Sequence, residues 1–324
     1  MKLQRRQVLL SASSLVLAPT AVRAQAFPVK SLRLVVPYPP GGPTDVLARL
    51  LAKEMQEALG QTIVIDNKPG ASGAIGVRDA LRSPADGYTL LVGNAQTLAT
   101  NQSLVKDLGY DPVADFRPIA GLGNLLYAFV VRKDLGVANV ADLIALAKSK
   151  PGKLNYGSTG VGSGSHLGME LFKARTGTDL VHIPFKGAAQ MALEIAAGRL
   201  DVAMSTLSPV LGPIRDGQMT AIAVPSATRA PQIPDVPLLR EQGVTDCEAD
   251  AWLAVFAAVK VPGEIAARLT AAALAALKTA ALVEAAAKQG FALSPRAPEA
   301  FATFHAAEIK KWTEVIRIAK VEAE

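Results

Sequence analysis

One cysteine, three histidines and two tryptophans are a thin supply of reactive side chains for 324 residues. The lone thiol, Cys247, rules out an intramolecular disulfide, and no second thiol exists to share a zinc ion. His166, His182 and His305 form no H-E-x-x-H pair, so no metal site is expected. Charged residues make up only 19% of the chain, and no stretch gathers basic side chains with interleaved aromatics. A nucleic-acid surface therefore lacks its electrostatic footprint. The formal charge of +6 is concentrated at one end: residues 1–26 hold Lys2, Arg5, Arg6 and Arg23 and no acid, and subtracting those four leaves +2. No G-x-x-x-x-G-K-[ST] occurs, and Gly160-x-Gly162-x-Gly164 lacks the spacing of a dinucleotide fingerprint, so no cofactor is expected. Ser163 is preceded two places back by Val161, which denies it the G-x-S-x-G elbow of a hydrolase. No 20–50-residue period suggests a solenoid. The residues do not ask for an enzyme.

What is present points to export. The first 26 residues run from a basic start through an apolar stretch, Val8 to Leu17, to Ala24-Gln25-Ala26, the A-x-A pattern of signal-peptide cleavage. That stretch falls short of the roughly 20 residues that span a bilayer. Cleavage is expected after Ala26, leaving a mature protein outside the cytoplasm. Gln4-Arg5-Arg6-Gln7-Val8-Leu9 resembles a twin-arginine signal, and the basic start fits the general secretory route equally.

From Ser31 onward, short β-rich runs alternate with helical segments, the mark of an α/β fold with largely parallel sheets. Strands are expected at 32–38, 62–66, 88–92, 154–157, 180–185, 202–205 and 220–224. Helices are expected at 44–59, closed by Gly60, at 75–82, from the end of the Gly160–Ser165 loop to Ala174, and at 189–197. The apolar stretch 118–132 is longer than one strand and suits a chain leaving one sheet for a second. Trp252–Val259 is placed to return it, ahead of two helices, Glu264–Gln289 and Pro298–Val321. The division that follows is 27–124 in a first lobe, 125–250 in a second, and 251–324 back in the first.

Two glycine-rich loops each join a strand end to a helix start: Pro40-Gly41-Gly42-Pro43-Thr44-Asp45 and Ser158 to His166. A helix's first turn has N–H groups without internal partners and the positive end of its dipole, and glycine lets a ligand approach that backbone. A carboxylate between two such termini is bound without buried lysine or arginine. Each loop has a plainer reading as an ordinary βα turn, with Asp45 a first-turn acid and Ser163 or Ser165 an N-cap. His166 suits either an anion contact or a cap, His182 a structural position in a strand, and His305 the solvent side of an amphipathic helix.

VVPYPPGGPTDVLAR (35–49), VIDNKPGASGAIG (64–76), PADGYTLLVGN (84–94), YDPVADFRPIAGL (110–122), LNYGSTGVGSGSHLGMELFKARTG (154–177), HIPFKGAAQ (182–190), AGRLDVAMST (197–206) and PDVPLLREQG (234–243) stand in one order. Together they resemble the periplasmic substrate-binding proteins of tripartite tricarboxylate transporters, the Bug receptors. The resemblance implies a monomeric, two-lobed Venus flytrap (a type II periplasmic-binding-protein fold) with two mixed, mainly parallel sheets. It implies a receptor that takes a small organic carboxylate to the membrane subunits of its transporter; a carboxylate sensor feeding a signalling partner is the alternative. It carries binding roles onto Gly41, Gly42, Pro43, Thr44 and Asp45, and onto Gly162, Ser163, Gly164, Ser165 and His166. Asn94 and Thr97 would shape the far end of the pocket. Phe185, Lys186 and Gly187 match a Y-K-G segment in which phenylalanine replaces the usual tyrosine, and Met204, Ser205 and Thr206 fall on a variable wall. Gln96-Thr97 stands where many relatives carry Gly-Thr or Ser-Thr, so the ligand stays open.

Overall fold

The computed structural model describes residues 27–249 and 251–321; the leader and its A-x-A site lie outside the described residues. Strands β1 (Leu32–Val36), β2 (Ile63–Asn67), β3 (Thr89–Asn94) and β4 (Phe116–Leu125) belong to one sheet, with helices α1 (Pro43–Leu59), α2 (Ala74–Arg82) and α3 (Asn101–Leu104) between them. A second sheet holds β5 (Tyr127–Arg132), β6 (Asn155–Ser158), β7 (Val181–Pro184), β8 (Val202–Thr206) and β9 (Met219–Ala223). Between these run α4 (Val140–Ser149), α5 (Gly164–Thr176), α6 (Ala188–Ala196) and α7 (Leu207–Arg215). The chain then rejoins the first sheet through β10 (Ala251–Ala258), α8 (Gly263–Ala276), α9 (Ala280–Lys288), β11 (Phe291–Arg296) and α10 (Pro298–Ala319).

The six-stranded sheet has the order β11-β4-β10-β3-β1-β2 and the five-stranded sheet β7-β6-β8-β5-β9. Both are mixed. The β1–β2, β1–β3, β6–β7 and β6–β8 pairs are parallel, whereas β10 pairs antiparallel with β3 and β4, β11 with β4, and β5 with β8 and β9. Antiparallel pairing is therefore more prominent than the alternation of strand and helix suggested. Its source is the crossing strands: β5 and β10 enter each sheet against the run of the βαβ units.

The long apolar stretch resolves into β4 and β5 with only Leu126 between them. In β5, Tyr127, Phe129 and Val131 alternate with Ala128 and Val130, and all are buried. A strand with two apolar faces needs helices on both, and this one has them. Phe129 packs on Phe172 of α5, while Ala128 and Val130 share a cluster with Met191 and Ile195 of α6.

Local chemistry sets most boundaries. Pro43 opens α1, where its missing N–H costs nothing, and Leu47, Leu51, Met55 and Leu59 recur every four residues on the buried face. Gly60, at φ 68°, closes the helix with its N–H on the Gln56 carbonyl. The alanine-rich segment expected as one helix is two, α8 and α9, bent by 67°. Thr279 interrupts it as an N-cap, its side chain accepting from the Leu282 N–H. Three helices and a strand escaped the reading of the sequence: 96–104, α4, α7 with Pro213 inside it, and β11.

His305 corrects the expectation of a solvent-facing residue. It is only 4% exposed, its Nε2 lies 2.6 Å from the Leu98 carbonyl oxygen, and its ring stands against Trp252 and Phe301. An amphipathic helix leaves a histidine's side ambiguous, because the ring suits either face. Among the described residues no single helix is long and apolar enough to cross a membrane.

Candidate functional site

In register, β1 and β3 run parallel, so Tyr38 and Asn94 emerge together at the carboxyl edge of the first sheet. The parallel strands β6, β7 and β8 likewise deliver residues 158–166, 185–187 and Thr206 to one edge of the second. Ligands of open α/β sheets sit at such edges.

The first loop is held by Asp45. This carboxylate is 1% exposed and accepts from the Gly41 N–H at 2.9 Å, Arg49 Nε at 2.8 Å and Asn67 Nδ2 at 2.9 Å. Burial alone would raise its pKa; Arg49, the Gly41 amide and Asn67 outweigh that and hold it below the usual carboxylate range. Asp45 is thus committed to the loop's own shape. α1 has no side-chain cap, and the N–H groups of Gly42, Thr44 and Asp45 have no partner among the described residues.

The second loop is knitted together by its own side chains. Ser163 caps α5 by accepting from the His166 N–H at 3.2 Å, and Ser165 Oγ accepts from the Thr159 N–H at 3.0 Å. His166 Nδ1 accepts from the Gly162 N–H at 3.1 Å, which assigns the ring proton to Nε2. The Ser163 N–H bonds the Gly160 carbonyl. The amides of Gly162 and Ser163 are therefore spent, and those of Val161, Gly164 and Ser165 are left without a partner among the described residues.

Behind this loop the rings of His166 and His182 stack with centroids 4.1 Å apart, and Tyr156 lies 4.9 Å from His182. His182 Nε2 is 2.6 Å from Ser158 Oγ, and Glu170 bonds both the Tyr156 hydroxyl and Lys173. Burial, with His182 adding to it, pushes His166 down to about 4, so the ring is neutral near pH 7. Of the anion contact and the cap expected for His166, the Nδ1 contact with the Gly162 N–H just ahead of α5 is of the capping kind.

The turn after β3 is similarly self-contained. Thr97 N–H donates to Asn94 Oδ1 at 3.0 Å, and the Asn94 N–H to Thr97 Oγ1 at 3.1 Å. Two unselected residues extend this turn. Asn94 Nδ2 donates to the Tyr38 hydroxyl at 2.8 Å, Tyr38 donates to Gln96 Oε1 at 3.0 Å, and Gln96 Nε2 donates to the Val161 carbonyl at 3.2 Å. Tyr127 is near enough to Tyr38 to disfavour its ionisation beyond the effect of burial, and its hydroxyl would lie 2.8 Å from a Cβ on Gly164. Among the described residues, 41–45 make no hydrogen bond to 159–166; the second lobe's glycine loop is bonded instead by Gln96 and Thr100 of the first.

Phe185 is half-buried, with its N–H on the Ser158 carbonyl; the Lys186 side chain is exposed, and Gly187 opens α6. Ser205 is fully buried and donates to the Thr206 carbonyl at 3.1 Å, whereas the buried Thr206 hydroxyl has no partner among the described residues. The neighbour of the selected serine is thus the residue with unused polarity. No cluster of three His, Cys, Asp or Glu able to hold a metal occurs among the described residues. Cys247 is buried, which pushes its thiol up to about 12, with Glu248 adding to the shift. Two surface cavities of about 330 and 320 Å³ lie around Arg175 and Asp246, away from both glycine loops.

Two α/β lobes thus present paired glycine loops at their strand ends. The family profile described as Tripartite tricarboxylate transporter family receptor matches residues 47–321, and the chain belongs to that family. It is 35% identical over 297 residues to protein BugT of Bordetella pertussis, covering 91% of each chain. It is similar to an R. palustris protein solved with adipate, at 35% identity and a TM-score of 0.87, covering 92% of this chain and all of that one. It also resembles MatC of Rhodopseudomonas palustris with bound malate, at 31% identity and a TM-score of 0.83, covering 90% and 100%.

Proposed function

We propose that this chain is an extracytoplasmic receptor that captures a small organic carboxylate between its lobes. It would then deliver that ligand to the membrane subunits of a tripartite tricarboxylate-type transporter. The observation that carries the reading is the two sets of unpartnered amides. Gly42, Thr44 and Asp45 supply one at the start of α1, and Val161, Gly164 and Ser165 supply the other at and before the start of α5. Uncapped first-turn amides aimed at an anion bind it through backbone dipoles, with no charged side chain to desolvate. The proposed lobes are 27–124 with 251–324, and 125–250. The ligand-contacting set is those amides together with Pro43, Asn94, Thr97, Phe185, Lys186, Gly187 and Ser205 as walls. Gly41, Gly162, Ser163 and His166 then serve chiefly to hold the loops. The bound adipate and malate of the two solved relatives support a carboxylate as ligand class. The leader supports export. Nothing in this arrangement calls for a catalytic group.

A thermal-shift screen against mono-, di- and tricarboxylates tests the reading. A ligand at 100 times its dissociation constant adds about 2.7 kcal/mol of stability. At least one carboxylate is expected to raise the melting temperature. A response confined to phosphorylated or cationic compounds would overturn the proposal.

A further inference from the structure

Two hydrogen bonds join the first lobe's turn after β3 directly to the second lobe's glycine loop. Gln96 Nε2 donates to the Val161 carbonyl at 3.2 Å, and Thr100 Oγ1 donates to the Gly162 carbonyl at 2.9 Å. Both donors lie on the π-wound turn Gln96–Thr100 of the first lobe, and both acceptors lie in the second lobe's glycine loop. Thr100 is 1% exposed, and its alternative acceptor, the Gln96 carbonyl, is farther at 3.3 Å. Gln96 is fixed from behind by the Tyr38 hydroxyl, itself fixed by Asn94. Packing follows the same line. Gly162 stands at a backbone φ of 72°, which favours glycine, and a Cβ there would lie 2.6 Å from Leu104 Cδ1 of the opposite lobe and push that side chain aside.

We infer that Gln96 and Thr100 are positioning residues that latch the second lobe's glycine loop onto the first lobe and thereby favour closure irrespective of ligand chemistry. Bonds made only when the lobes meet stabilise that arrangement over the parted one, and any ligand that needs the closed form inherits the gain. The latch also turns the Val161 and Gly162 carbonyls toward the first lobe and away from an incoming anion. The Gly162 N–H meanwhile stays on His166, so the loop is held at both ends before an anion reaches the Gly164 and Ser165 amides. The inference rests on two-lobed closure and on the proposed cleft, but not on which carboxylate is bound.

The test uses Thr100→Val and Gln96→Met, which keep shape and remove the donors, alone and combined, with Thr100→Ser as the conservative control. Small-angle scattering of the protein without added ligand reads the separation of the lobes. The double variant is expected to show a larger radius of gyration than the parent, and Thr100→Ser the parental value. With a carboxylate found by thermal shift, dissociation should accelerate about fivefold for each donor removed, with association nearly unchanged. Identical scattering for parent and double variant would overturn the latch, whether or not a ligand is known. A carboxylate screen without hits would instead overturn the proposed ligand class while leaving the scattering comparison intact. If single variants melt early, unchanged dissociation in Gln96→Met at a temperature where it is folded also overturns the latch.

Discussion

Gly42 and Gly162 are both glycines of a βα loop, yet the structure asks different things of them. Gly162 has a positive φ and the Leu104 side chain where a Cβ would go. Gly42 sits at φ −73°, and a Cβ there would meet only the Pro39 carbonyl, at an ordinary 3.5 Å. Nothing inside the protein demands a glycine at 42; the space beside its free amide is what a side chain would fill. Gly42→Val is therefore expected to melt within about 2 °C of the parent, since a shift of 1 kcal/mol is worth only a few degrees at this size. It should bind its carboxylate at least tenfold more weakly, read by calorimetry. Parental affinity in the folded variant would remove the first loop from the pocket.

At the scale of elements, the second glycine loop, α5 and β7 form one unit through stacked neutral imidazoles. The folded pKa of His166 is depressed to about 4, below the ordinary 6.5. Its contribution is therefore complete above pH 6.5 and is lost as pH falls toward 4. Protonating Nδ1 would also break its bond from the Gly162 N–H. Stability should decline by up to about 3 kcal/mol across that window from this group, with His182 and His305, also held low by burial, steepening the fall. Urea titrations at pH 7, 5.5 and 4 read the slope, and His166→Gln, which retains an acceptor and cannot titrate, should flatten it. An unchanged slope would mean that the ring is not held neutral in the fold. Elements were also the scale at which the sequence was most readable. Pro43 and Gly60 punctuate α1, and the run of apolar residues through 118–132 exposed the crossing between sheets. Segment 96–104 was hidden because Gln96, Thr97, Thr100 and Asn101 make a polar turn that is buried only once distant parts of the chain, α10, Ser72, Tyr110 and the second glycine loop, close over it. β11 was hidden because its outer positions are polar and half-exposed at a sheet edge. For the site, glycine spacing located the loops. Which amides remain free depends on where Asp45, Ser163 and His166 direct their side chains, and that is decided by folding rather than by spacing.

For the whole molecule, the C-terminal helix packs against both lobes. α10 lies on β4 of the first sheet and on α5 of the second lobe, and His305 and Thr313 reach segment 96–104. Trp312 is fully buried in it, its indole N–H on Glu308 at 2.9 Å. Trp312→Ala should cost about 3–5 kcal/mol, as expected for emptying a large aromatic site. Because the helix touches both lobes, a single lowered transition is expected in calorimetry. A parent-like melting profile would show that the helix is peripheral.

Cys247 gives this architecture a practical use. Its sulfur is enclosed and its proton is held tightly, so maleimide chemistry should ignore it. One cysteine introduced on the rim of either lobe would then be the sole point of dye attachment. With the closure inferred above, the protein would in this way become an optical reporter of its own ligand, with no background from native thiols.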